Sequence, residues 1–359
     1  MNIKERLSEL NVPSLFSSFG KDIKTKEDFE ALKPEIKKLL EEEEYGCFPP
    51  KPDSVEVELT EENKRCFAGK GANKQYKLRA GVYGQTVEFV FSAAIPFIKD
   101  KKIPVFVNIA FNRTPNFRQP TEEIIDRGYA VFTMCYNDAT TDNGDFENDV
   151  AKVLCPDRTA PNATGKIAMW SWCAMRVIDY IYTQPEIFDL DKVCVIGHSR
   201  LGKTTLLTAA FDERVKFACV NDSGTSGDAL SRGTVGESIE AITSRFPYWF
   251  CPNYQKYANN ENSLPFDQHY LLSLVAPRVL LCGTAKEDLW ADPKSQFLAL
   301  TLTDDVYRLY GLAGLVHGDE IPEAPVRLQE GTCSFHTRLG THCLSREDWN
   351  IYMDFIDKF

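Results

Sequence analysis

GHSRLGKT, residues 197–204, lies between an apolar strand-like run, KVCVIG (192–197), and a helix-forming run, LGKTTLLTAAF (201–211), and its reading decides the architecture. Two unrelated machines use a segment of this kind. A hydrolase mounts a nucleophilic serine on a sharp strand-turn-helix elbow, which would make Ser199 the nucleophile. A nucleotide-binding protein uses Gly, four residues, Gly-Lys-Thr to cradle phosphate, which would make Lys203 and Thr204 the working pair. The literal G-x-S-x-G elbow is broken, because Leu201 stands where the second glycine is expected and Gly202 comes one residue later. The phosphate reading has its own difficulty. Backbone N–H groups must wrap the anion, yet His198, Arg200 and Leu201 are bulky, and the motif arrives after at least three strands of the α/β pattern. KFACVND (216–222) even imitates a strand ending in a magnesium-binding Asp. Pattern alone leaves both readings open.

Working outward, the texture on both sides is that of an α/β protein. Apolar runs PVFVNIAF (104–111), YAVFTMCY (129–136), KVCVIG (192–197), KFACVND (216–222), RVLLCG (278–283) and VYRLYG (306–311) read as strands. Helical patterns alternate with them: PTEEIIDRG (120–128), KIAMWSWCAMRVIDYIYTQ (166–184), LGKTTLLTAAF, FDQHYLLSLVA (266–276) and the closing REDWNIYMDFIDKF (346–359). Apolar strands alternating with helices predict a mostly parallel sheet covered on both faces. SVEVEL (54–59), YKLRAGVYG (76–84) and TVEFVFSAAI (86–95) alternate or run as strands without helices between them, which predicts an antiparallel N-terminal edge. Residues 1–45 are rich in Glu, Lys and Leu and read as helix, until the prolines of CFPPKP (47–52) break the pattern. The expected layout is an N-terminal helical extension over 1–52, packed on a single catalytic domain over 53–359.

The 359 residues allow about two domains or one large α/β domain. A net charge of −11 argues against nucleic acid or an anionic membrane as partner. The longest apolar stretch, around 87–98, is too short to cross a bilayer. The opening MNIKERLSEL lacks the apolar core of a secretory signal, so the chain as given is expected in the cytoplasm. Eleven cysteines, many in apolar strands and none in a CxxC pair, are expected as buried reduced thiols. No HExxH and no Cys/His ladder is present, and neither a metal nor a cofactor is expected.

A serine nucleophile needs a base and an orienting acid, in the chain order Ser, acid, His for an α/β-hydrolase. Four histidines follow Ser199: His269, His317, His336 and His342. The base belongs on a loop after the last strand and before the final helix, where His342 fits, since Ser345 and Asp348 resemble that helix's capping box. His336 is the rival and the better candidate for shaping the loop; His269, inside an apolar helical run, suits packing. Asp222 closes one strand and Asp288 follows another, and sites of open α/β sheets lie beyond the carboxyl ends of strands. Both are candidates to orient His342, and either is equally explained as a loop cap.

Several words in order, GHSRLGKT, NDSGTSGDALSR (221–232), FPYWFCPNY (246–254), LPFDQHYLLSLVAPR (264–278), EDLWADP (287–293) and FHTRLGTH (335–342), resemble the glucuronoyl esterases, carbohydrate esterase family 15. The resemblance runs from about residue 35 to the end. It implies an α/β-hydrolase fold, a three-layer α/β/α sandwich, and a serine esterase acting on (4-O-methyl)glucuronoyl esters of xylan-derived saccharides without a cofactor. An acetyl esterase for xylo-oligosaccharides is the alternative. The resemblance also implies Ser199 as nucleophile, His342 as base, and the acid at Asp222 or Asp288. It gives Arg200 a part in holding the oxyanion, and Lys203, Glu237 and Trp290 contacts with the uronate sugar. A second oxyanion N–H is expected from the loop at 111–113. FNRT (111–114) stands where many members carry Gly-Asn-His after Phe, Thr341 replaces a common Lys, and Thr225 a frequent Cys or Ala. These departures touch the substrate rim. The ordinary alternatives are a core position for Trp290 and an ion pair of Glu237 with Arg232 or Arg245.

Overall fold

Ten strands form one sheet in the order β1-β2-β3-β5-β4-β6-β7-β8-β10-β9. The computed structural model describes residues 1–359. The strands are β1 (Ser54–Cys66), β2 (Gly71–Val82), β3 (Gln85–Pro96), β4 (Ile103–Ala110), β5 (Ala130–Cys135), β6 (Phe188–His198), β7 (Phe217–Asn221), β8 (Val279–Ala285), β9 (Val326–Leu328) and β10 (Cys333–Arg338). From β5 through β10 the pairing is parallel. The β1–β2–β3–β5 edge and the β9–β10 pair are antiparallel.

The central strands are buried on both faces, and their alternation sorts the core into two clusters. Val105, Val107, Val193 and Val195 join the larger one; Phe106, Cys194 and Ile196 join the smaller. Successive strand residues point to opposite faces, so these are the two layers beside the sheet. Helices Lys166–Tyr182 and Arg200–Phe211 lie in the larger layer, and the helix Arg346–Ile356 closes the smaller with Trp349, Tyr352 and Met353. The result is the three-layer α/β-hydrolase sandwich.

The N-terminal helices Ile3–Leu10 and Lys26–Leu40 bury Ile3, Leu10, Phe29, Leu32, Ile36 and Leu40 in the larger cluster. Thr25 and Asp28 form a capping box at the second helix, and Lys33 Nζ donates to the Ala276 carbonyl at 2.9 Å. Residues 1–52 therefore share the core of the sheet.

One expected element is overturned. VYRLYG is not a strand: Asp304–Leu309 is a helix that buries Val306 and Tyr307. The final parallel strand is β10, CSFHTR, all six residues of which are buried.

Candidate active site

The elbow forms because the chain has almost no room to turn. β6 ends at His198, Ser199 takes φ 59° and ψ −129°, and the helix begins at Arg200. A positive φ at a residue with a side chain stores strain that only a tightly determined turn retains. A Cβ at Gly197 would meet the Leu201 carbonyl oxygen at 2.3 Å. One at Gly202 would meet Ser223 Cβ at 2.8 Å and the Asn221 carbonyl oxygen at 3.0 Å. Position 202 is thus where the helix crosses the end of β7, while Leu201 is buried in the core. The displaced glycine of the motif follows from that crossing. The phosphate-loop reading fails here, since one residue separates strand from helix and no segment remains to wrap a phosphate. Thr204 Oγ1 is bonded to the Arg200 carbonyl at 3.0 Å.

His342 arrives on the loop after β10, with its ring 4.3 Å from the ring of His198, the residue before Ser199. Its Nδ1 lies 2.5 Å from Asp288 Oδ2. With Nδ1–H donated to the carboxylate, Nε2 carries the lone pair. Asp288 is buried and also accepts from the Ala291 N–H at 3.2 Å. Burial pushes its carboxyl up, but the hydrogen bond and charge of His342 outweigh this and hold it below the usual carboxylate range.

Asp222 sits beside this pair without taking its place. The ligand atoms of Asp222, Asp288 and His342 all lie within 4.8 Å of one another. Asp222 Oδ1 accepts from Thr284 Oγ1 at 2.9 Å and from the Ala285 N–H at 3.0 Å, bracing the end of β8. Its Oδ2 is buried, 3.9 Å from Arg338 Nη2 and from His198 Nδ1. Burial first, then the negative Asp288 and Asp348, push the Asp222 carboxyl well above the usual carboxylate range.

The other histidines are occupied elsewhere. His198 Nδ1 bonds Asn221 Oδ1 at 2.7 Å, and burial with the neighbouring His342 lowers its pKa to about 3. His336 Nε2 bonds Asp348 Oδ1 at 2.9 Å. His269 is buried, its pKa lowered to about 3 by that burial, and His317 pairs with Asp304 at 3.0 Å. Ser345 and Asp348 do form the capping box of the last helix.

The loops that carry His342 and Asp288 are stitched together. The parallel β8–β10 ladder continues past both strands: Lys286 N–H donates to the Arg338 carbonyl at 2.9 Å and Glu287 N–H to the Gly340 carbonyl at 3.0 Å. The buried Arg338 clamps the base loop from inside. It donates to the carbonyls of Leu339 at 3.0 Å, Thr341 at 3.2 Å and Cys343, and its Nε bonds Asp348 Oδ2 at 2.8 Å. Burial opposes the charge on Asp348, yet its bonds to His336, Arg338 and Ser345 hold its pKa at about 2. FHTRLGTH therefore encodes both His342 and the arginine that clamps its loop.

Arg200 opens the helix behind Ser199, so its main-chain N–H is one of the donors a helix start leaves unpaired. Its guanidinium lies 4.6 Å from the Trp249 ring, 5.1 Å from Phe246 and 5.6 Å from Phe111. Phe111 begins the loop after β4 and packs edge-on against His198. Nη1 is paired with Asp142, a residue that sequence reading passed over in the acidic loop NDATTDNGDFENDV (137–150). Asp142 Oδ1 also accepts from Trp249 Nε1 at 2.7 Å, and Oδ2 from Tyr136 Oη at 3.1 Å.

On the other side of the elbow, Lys203 is buried, and its ammonium donates to the carbonyls of Ser223 and Thr225 and to Glu237 Oε2 at 2.5 Å. All three hydrogens are spent on protein, so Lys203 holds Glu237 in place. Glu237 does not pair with Arg232, which binds Asp267, nor with Arg245, whose guanidinium lies 5.1 Å over the Trp290 ring. Trp290 is 39% exposed and its carbonyl accepts from the Glu237 N–H at 2.8 Å, so it is a rim residue and not core.

The chain is similar to known proteins over most of its length. The family model described as glucuronyl esterase, fungi, matches residues 80–311. A carbohydrate esterase from an unknown prokaryotic organism is 32% identical over 363 residues, covering 90% of this chain and 83% of its own. A 4-O-methyl-glucuronoyl methylesterase of Schizophyllum commune is 28% identical over 317 residues, covering 85% and 74%. Among solved structures, a promiscuous CE15 esterase from a marine bacterial metagenome matches with TM-score 0.85 at 30% identity, over 96% of both chains. The glucuronoyl esterase of Solibacter usitatus matches at 0.87 with 27% identity, over 96% of this chain and 97% of its own.

Proposed function

The chain belongs to the glucuronoyl esterase family and is a carboxylic ester hydrolase, and from that premise we propose that it cleaves (4-O-methyl)glucuronoyl esters of xylan-derived saccharides through an acyl-serine intermediate. The observation that carries the mechanism is the Asp288–His342 bond, with the imidazole packed against the residue before Ser199. Asp288 fixes the tautomer that leaves Nε2 basic, and Nε2 takes the proton as Ser199 Oγ attacks the C6 carbonyl of the uronate. The alcohol leaves with that proton. Water, deprotonated by the same nitrogen, then releases the uronic acid and regenerates Ser199.

Negative charge on the carbonyl oxygen is met by the Arg200 N–H and by its guanidinium, held at the elbow by Asp142 and the aromatic rings. One such donor is worth roughly 10²–10³ in rate. Trp290 offers an exposed ring to a sugar face. Glu237, held through Oε2 by Lys203, offers its other oxygen to a hydroxyl. The Lys203 ammonium acts on the sugar through Glu237.

The test is hydrolysis of benzyl and methyl glucuronate beside an aryl acetate, by the wild type and by Ser199→Ala. The glucuronate esters are expected to be preferred, and the substitution is expected to cost about 10⁶ in kcat. A residual rate within about tenfold of wild type removes Ser199 from the role. A strong preference for the acetate replaces the substrate by an acetylated saccharide.

A further inference from the structure

We propose that Asp142 is a specificity-determining residue that cancels the charge of Arg200, so that the site binds a neutral ester and lets go of the anionic acid it makes. The inference rests on the uronate-ester reading above and deepens it. Hydrolysis turns an uncharged substrate into a carboxylate at the very place where the oxyanion donors point. The ester C–O bond breaks, water supplies the hydroxyl, and the new acid gives its proton to solvent through His342. An arginine there is a hazard, because a guanidinium grips a carboxylate through two parallel N–H bonds.

The structure meets this with a second carboxylate that is already in place. Asp142 is paired with Nη1 of Arg200, its side chain 11% exposed against 24% for the arginine. It is not a mobile surface partner. Trp249 Nε1 holds Oδ1, Tyr136 Oη reaches Oδ2, Tyr248 Oη donates to the Asp142 carbonyl at 2.9 Å, and the Asp142 N–H donates to Asn137 Oδ1 at 3.0 Å. Trp249 carries the Arg200 guanidinium on its face and is itself stacked on Phe246 at 3.9 Å. One indole thus fixes both members of the pair. The pair keeps the N–H dipoles that an oxyanion needs, since Nη2 has no protein partner, while its net charge is zero. A transient oxyanion at hydrogen-bond distance is served by those dipoles. A released carboxylate meets, at Arg200, a guanidinium whose charge is already cancelled.

The experiment measures inhibition by glucuronate during hydrolysis of benzyl glucuronate by the wild type, Asp142→Asn, Asp142→Ala and Asp142→Glu. Calorimetric binding of glucuronate is measured in parallel in a Ser199→Ala background with and without Asp142→Asn, which needs no turnover. Removing the carboxylate is expected to tighten glucuronate binding about tenfold, as befits one unpaired, partly exposed cation. KM for the neutral ester is expected to move less than about threefold. Added NaCl is expected to weaken glucuronate binding more in the variants than in the wild type. Asp142→Glu is expected to restore weak product binding. Glucuronate affinity that is unchanged or lower in both charge-removing variants overturns the proposal, including the case in which kcat alone falls and Asp142 merely orients Arg200. If the wild type cleaves the aryl acetate and no glucuronate ester, the substrate reading has failed. Charge cancellation is then judged by the same shift in inhibition by acetate.

Discussion

Substituting the two neighbouring aspartates separates the acid of the triad from its brace. Asp288→Asn keeps the shape of the side chain but replaces a charged acceptor by an amide. His342 Nδ1 would then accept from that amide, and its proton would move to Nε2, the nitrogen that must be basic. The transition state also loses the carboxylate beside a forming imidazolium. With charge centres about 4 Å apart and an effective dielectric near 20, that attraction is about 4 kcal/mol, or roughly 10³ in rate. The wrong tautomer takes the expected loss in kcat toward about 10⁴. Asp222→Asn is a different matter. Burial and the two nearby carboxylates push its carboxyl well up, so a neutral amide of the same shape suits surroundings that already disfavour the charge. Asn retains an oxygen for Thr284 Oγ1 and the Ala285 N–H. The expected loss is within about tenfold. Steady-state kcat on benzyl glucuronate, with circular dichroism to show that both variants fold, is the assay. A collapse in Asp222→Asn with near-normal Asp288→Asn would refute the reasoning. Two mild single losses with a dead double variant would show a shared role and refute it equally.

Two further outcomes are expected. Arg338→Ala frees three carbonyls of the base loop, and a misplacement of His342 by about 1 Å is expected to lower kcat about 10²-fold with KM little changed. Millimolar guanidinium is expected to recover part of that rate, and a loss shared by KM, or no recovery in a folded variant, contradicts the clamp. Glu44 is fully buried against Gln268, and burial raises its pKa from 4.5 to about 8. A raised acid binds its proton more tightly in the folded state, so its contribution is complete below about pH 4.5 and is lost as pH climbs to about 8. At pH 7 the loss is about 3 kcal/mol. Glu44→Gln is therefore expected to flatten the thermal stability profile between about pH 5 and 8 and to raise Tm at the alkaline end. An unchanged profile would place the ionisation elsewhere.

The parts of the molecule that were legible in the sequence are those in which burial and polarity agree. β4 through β8 are apolar runs because both of their faces are covered, and the capping box at Ser345 announces the last helix by its side chains alone. β10 was hidden by the opposite condition. Its six buried residues include Ser334, His336, Thr337 and Arg338, and two of these are tolerated inside because Asp348, on the next element, satisfies them. No property of CSFHTR alone reveals that partner. VYRLYG misled for want of length: six residues rich in β-branched and aromatic side chains suit a short strand as well as a helix, and it is the helix that buries the adjacent Val306 and Tyr307 together. Ser199, His342, Glu237 and Trp290 stood out in the sequence as candidates, whereas Asp142 was one carboxylate among several in a polar loop, distinguishable only by the arginine and the indole that fold onto it.

The choice between Asp222 and Asp288 was also beyond the sequence, because it depends on how the strands carry their loops. Asp222 follows β7 at once, at φ 44°, which aims its carboxyl along the sheet toward the end of β8. Asp288 stands three residues past β8, on a loop that stays in register with the base loop through the Lys286 and Glu287 N–H groups. The loops of Asp288 and His342 are therefore tied to each other by main chain and to the fold by Arg338 and Asp348. Ser199 belongs to a second body, the β6 elbow, pinned to β7 by its N–H on the Asn221 carbonyl at 2.9 Å. The two bodies meet where the imidazoles of His198 and His342 pack against each other, tilted by 44°. An imidazole whose pKa is lowered to about 3 suits the place, because it remains neutral while its neighbour gains a proton in each half of the reaction.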